Sequence, residues 1–163
     1  MSRRKGRVLA FQTLYSYEVG GIPLKDLLAF SWASETGVSA EDANKEEYAF
    51  ARLLAAGTVE HLSEIDENIK KHLAANWDFD RVNKVSLSIL RMSVYSLLYQ
   101  KDIAASVVID EAIQIAKEFG ADDSFRFINA VLDKIGKAVS VSPSPAEISA
   151  PPPAEASAEE LVE

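Results

Sequence analysis

Apolar residues recur every three to four positions along most of residues 1–141, the period of amphipathic helices. The first run spans about Arg3 to Val19, with Val8, Phe11, Leu14/Tyr15 and Tyr17/Val19 on its apolar face. Gly20-Gly21 stops it. Pro23 leads into a short helix expected from Leu24 to Trp32, and SETGVSAEDAN at 34–44 reads as a polar loop. A long helical stretch follows from about Lys45 to Asn76. Phe50, Leu53/Leu54 and Gly57 line its first half, and Leu62, Ile65, Ile69 and Leu73 its second. A glycine inside such a pattern costs about 1 kcal/mol against alanine, so Gly57 predicts a close helix crossing. WDFD at 77–80 breaks the pattern, with Asp80 placed to cap the next helix. That helix runs from Arg81 or Asn83 to Tyr99, through Val82, Val85, Ile89/Leu90, Val94 and Leu97/Leu98. Lys101-Asp102 turns the chain into a helix from about Ala104 to Phe119. Gly120 stands where a left-handed C-terminal residue is favoured. Asp122 or Asp123 then caps a last helix carrying Phe125, Ile128, Val131/Leu132 and Ile135. Strand signatures are nearly absent, since the β-branched cluster at 103–109 runs straight into helical spacing. The pattern predicts an all-α bundle of six or seven helices, with a hinge near Asn76 dividing lobes of about 1–76 and 77–141.

Composition changes this picture at the two ends. Five of the six prolines lie between Pro143 and Pro153. Residues 142–163 carry five Glu, no Lys or Arg and no aromatic residue. Such a Pro/Ala/Glu-rich acidic segment buries too little surface to offset chain entropy and is expected to be a disordered tail. The chain's net charge of −8 misleads for the same reason, because the tail supplies much of it. At the other end Arg3, Arg4, Lys5 and Arg7 crowd four cations into five positions, so an acidic total does not exclude a polyanion partner. Zero Cys excludes disulfides, thiolate metal sites and a thiol nucleophile. No secretory signal and no membrane-length apolar run is present, so a cytoplasmic protein is expected.

Catalytic chemistry finds little support. No Gly-rich phosphate loop occurs. His61 and His72 are eleven residues apart, which is not a ligand spacing, so no metal site is expected. The acidic pairs Asp110-Glu111 and Asp122-Asp123 read as solvated or capping positions. The basic start is more informative. Arg3, Arg4 and Arg7 recur at helical spacing, and guanidinium groups grip phosphate bidentately. Cations at a helix N-terminus also oppose the macrodipole, a local conflict expected of a functional site or of a frayed end. One turn on, Gln12 and Tyr15 are suited to base edges and base stacking. Tyr15 reads more simply as a core residue with its hydroxyl at the rim. In DDSFRFINAVLDK, Phe125 and Phe127 lie about 200° apart on a helix. One ring is therefore partly exposed, as a base platform beside Arg126 or as a wedge between lobes.

Three blocks together, RRKGRVLAFQTLYSYE at 3–18, LSILRMSVYSLLY at 87–99 and VVIDEAIQIAKEFGADDSFRFINAVLDKI at 107–135, resemble the NusB family of bacterial transcription antitermination factors. The resemblance covers roughly residues 3–138 and leaves out the tail. It implies an all-helical, two-subdomain protein that is neither an enzyme nor cofactor-dependent. It implies binding of single-stranded boxA RNA in ribosomal RNA leader transcripts, jointly with the ribosomal small-subunit protein NusE. It also implies action on the elongating RNA polymerase. The RNA-contacting residues it implies are Arg3, Arg4, Lys5, Arg7, Gln12, Tyr15, Asp123, Ser124, Phe127 and Asn129, with Phe127 the exposed ring. The NusE face would draw on Val82, Ser86 and Arg91. The chain departs from the family pattern at Ser86, where an acidic residue is common, and at Ala104-Ala105, Asp110-Glu111 and Asn129-Ala130. The alternative is a helical protein–protein interaction module whose basic end meets an acidic partner.

Overall fold

A computed structural model describes residues 3–30, 32 and 46–141. The expected loop at 34–44 and the expected tail at 142–163 lie outside the described residues. Seven α-helices are found among them: α1 (Arg3–Gly20), α2 (Leu24–Leu27), α3 (Glu46–Glu60), α4 (Leu62–His72), α5 (Lys84–Tyr99), α6 (Ala105–Phe119) and α7 (Ser124–Val141). A 3-10 turn at Phe79–Arg81 precedes α5. No helix among the described residues is long and apolar enough to cross a membrane.

Helix α5 is the axle of the bundle. Twelve of its sixteen residues are buried, and it packs against α1, α3, α4, α6 and α7. Its start is fixed by Asn83, whose side-chain oxygen accepts from the Val85 and Ser86 amides at 2.9 and 3.2 Å. The cap is therefore Asn83, while Asp78 (not Asp80) caps the preceding turn. One buried cluster runs through Phe11, Leu14, Phe50, Leu54, Ile65, Leu90, Ile115, Ile128 and Leu132, on both sides of Asn76.

Gly57 marks the crossing of α3 and α5. A Cβ there would collide with the Tyr95 ring, so the close approach expected from the sequence is present. Three expectations need correction. The stretch at 45–76 is two helices, parted at His61, whose φ of −109° and ψ of 23° are not helical. The helix after Pro23 ends at Leu27, and Phe30 takes a φ of 56°. Gly120 is extended (φ −88°, ψ 173°) rather than left-handed. Its need for glycine is spatial, because a Cβ would stand 2.7 Å from the Ala116 carbonyl oxygen and strike the Ser124 hydroxyl. The left-handed residue at this corner is Asp123, at φ 65°, a conformation short polar side chains tolerate.

Candidate nucleic-acid interface

The basic turn opens α1, which has no acidic residue in its first turn to offset it. What holds it helical is packing. Gly6 lets α1 close on α3, since a Cβ there would sit 2.8 Å from the Phe50 ring and 3.0 Å from the Glu47 carbonyl oxygen. Arg3 then lies over the Phe50 ring at 4.2 Å and Arg7 at 5.4 Å. Lys5 reaches Glu47 at 3.5 Å. Across the helix, Arg4 Nη2 donates to Glu118 at 3.0 Å and Arg7 faces Glu111 at 3.7 Å, both on α6. Arg7 is buried, which lowers its pKa against the raising effect of Glu111. The Glu111 oxygen nearest it is buried and has no hydrogen bond.

Phe11 meets Phe119 at 5.2 Å, so α1 also touches the C-terminal end of α6. The chain then turns through Gly120 and opens α7 at Ser124. The Ser124 amide donates to Ala121 O and the Arg126 amide to Asp123 O, each at 3.0 Å. The Ser124 hydroxyl is buried without a partner. Through Arg4 and Phe11, α1 thus reaches the C-terminal end of α6, from which the chain turns into α7, while Arg7 meets the middle of α6.

Within this region the residues expected to meet RNA differ in access. Arg3, Lys5, Asp123 and Asn129 are exposed; Arg4, Gln12, Ser124 and Phe127 are half-buried; Arg7 is buried. Tyr15 is 36% exposed, so it is a surface residue, and the buried position beside it is Leu14. Phe125 and Phe127 are both half-buried. Phe127 packs against the core on one side and meets the Trp77 ring at 4.5 Å on another. Trp77 itself is 47% exposed. Sequence reasoning passed over Trp77 as part of a break. The one available signal was a large aromatic in an otherwise polar turn.

The residues expected to face a protein partner are not at the surface. Val82 and Ser86 are 3% exposed and Arg91 7%. The cause is the central place of α5, enclosed by neighbouring helices. Arg91 donates to Asp66 from Nε and Nη2 at 2.9 and 2.8 Å, and to Glu18 from Nη1 at 2.7 Å, tying α1, α4 and α5 together. Burial works against its charge, but the bonds to both carboxylates outweigh it and raise its pKa. In the turn before α5, Asp78, Asp80, Arg81 and Asn83 are exposed. His61 stacks on Tyr99 at 4.2 Å, and His72 Nδ1 donates to Asn68 O at 2.8 Å. Among the described residues no cluster of three or more His, Cys, Asp or Glu could hold a metal.

Comparison with known proteins gives a consistent picture. A sequence profile of the NusB family matches residues 4–137. The transcription antitermination protein NusB of Treponema denticola is 52% identical over 135 residues, covering 83% of this chain and 96% of that protein. NusB of T. maritima superposes with a TM-score of 0.72 at 36% identity, covering 84% of this chain and 92% of that one. A chain in a crystal structure of NusB and NusE with double-stranded RNA gives a TM-score of 0.68 at 28% identity, covering 83% and 96%.

Proposed function

This chain belongs to the NusB family, and on that premise we propose that it is a transcription antitermination factor. In this reading it binds boxA-type single-stranded RNA of ribosomal RNA leader transcripts together with NusE. The complex helps RNA polymerase read through terminators, in the cytoplasm. The chain acts by binding, with no catalytic step and no cofactor.

The observation that carries the reading is the shared border of two stretches along α6. Arg4 and Arg7 reach Glu118 and Glu111 from one side. Asp123, Ser124 and Phe127 follow in the chain from the end of that helix. Arg3, Arg4, Lys5 and Arg7 neutralise phosphates, while Gln12, Ser124 and Asn129 hydrogen-bond bases or sugars and the rings stack. Asp123 holds the corner in its left-handed turn. The ion pairs to α6 keep the arginine side chains extended before RNA arrives, and phosphate then competes with carboxylate for the same donors. NusE meets the start of α5 through Arg81 and Asn83, over the buried Val82, Ser86 and Arg91.

Titrating a boxA-type strand, a scrambled strand and a duplex, with and without NusE, tests this. The boxA-type strand is expected to bind tightest, and tighter still with NusE. Equal binding of the scrambled strand contradicts sequence-directed recognition. Preference for the duplex contradicts the single-strand reading.

A further inference from the structure

Phe127 is not free to offer a face to a base. Its ring is half-buried against the core, and a second side is taken by Trp77 at 4.5 Å, with an interplanar angle of 34°. Trp77 comes from the link between α4 and α5, where its amide donates to the Ala74 carbonyl at 2.9 Å. At 47% exposure it ranks with Val19 and Leu53 among the most open large apolar residues described. Left in water with no function, so large a ring forgoes the gain of burial. The indole is also the largest π-surface a side chain offers, and it is backed here by a second ring that limits its rotation.

We propose that the base-stacking face at the start of α7 belongs to Trp77, with Phe127 as the positioning residue beneath it. The ligand class is an unpaired nucleobase of single-stranded RNA. This rests on the functional reading above and changes which ring carries it. It also extends the RNA surface from α7 onto the link between α4 and α5. Any base has a π-face, so this contact adds affinity with little sequence preference. Reading of the sequence then falls to polar groups such as Gln12 and Asn129.

The two roles separate under substitution by leucine, which keeps apolar bulk and removes the π-face. Trp77→Leu is expected to weaken boxA-type RNA binding about tenfold or more. Phe127→Leu keeps apolar bulk under the indole but loosens its support, and should weaken binding by about threefold, clearly less than Trp77→Leu. Trp77→Phe should recover most of the loss. In a Trp32→Phe background Trp77 is the sole indole, and RNA should quench its fluorescence, a readout that needs no change at the site itself. Loss in Phe127→Leu equal to that in Trp77→Leu, with no quenching, returns the stacking role to Phe127. Wild-type affinity in Trp77→Leu overturns the inference while leaving the functional reading intact. A wild-type protein that fails to bind boxA-type RNA, alone or with NusE, removes both.

Discussion

Arg91 and Arg7 are buried alike, at 7% and 6% exposure, yet their surroundings differ. Arg91 makes three charge-assisted hydrogen bonds, a forked pair to Asp66 and a third to Glu18. Arg7 has one carboxylate at 3.7 Å, and the facing Glu111 oxygen is buried without a hydrogen bond. The first cluster is saturated. Any ligand that took a donor from Arg91 would leave a carboxylate stranded, so that arginine is committed to holding helices together. The second is unfinished. In the proposed function a phosphate at Arg7 competes with Glu111, which has a charge contact but no hydrogen bond to lose. Buried arginine is thus no guide to role by itself, and the completeness of its partner set distinguishes the arginine that ties helices together from the one proposed for RNA.

The largest consequence concerns stability. Arg91→Ala leaves Asp66 partly buried without its cation and Glu18 with only Lys84 at 3.9 Å, and should cost about 3–5 kcal/mol in a denaturant titration. Arg7→Ala should cost less, about 1–2 kcal/mol, chiefly through its ring contact with Phe50. If the two losses came out equal, the distinction between saturated and unsaturated clusters would fail.

A second difference lies in acid sensitivity. The hydrogen bond from Arg91 holds the Glu18 carboxyl below its ordinary range, against the opposing effect of desolvation. The folded state therefore holds this proton less tightly than the unfolded one. The contribution is complete above the ordinary carboxylate pKa and is lost as pH falls through the lower, folded value. Denaturation midpoints measured across that window should show the loss in wild type, and Arg91→Leu should flatten it.

The smallest effect is electrostatic and belongs to the basic turn. If four phosphates are met, the logarithm of RNA affinity should fall against the logarithm of salt with a slope near −3. Arg4→Ala should reduce that slope by about 0.7, with little change in stability, because the Arg4–Glu118 pair is well exposed. An Arg91 variant that still folds should keep the full slope.

Much of this architecture was legible in the chain because helical period is a local signal. The stripes through α5, α6 and α7 and the crossing at Gly57 were written in spacing alone. The division at His61 was not, since apolar spacing continues across it and only the backbone departs from helix there. Arg91 sits among apolar neighbours in sequence, and only the fold brings Glu18 and Asp66 to it from two other helices. Its burial, like that of Val82 and Ser86, follows from five helices closing on α5, a long-range fact no window of sequence contains. Phe125 and Phe127 were separable by angle, but the ring that meets Phe127 lies fifty residues earlier, so Trp77 went unread.

Hydrogen exchange of the backbone, with and without boxA-type RNA in the presence of NusE, puts the shared-surface claim to its most direct test. RNA should add protection at once over residues 3–15 and over 121–129, beyond what NusE alone gives. Protection confined to one of these stretches, or absent from both while RNA is bound, would contradict a single surface built along the end of α6.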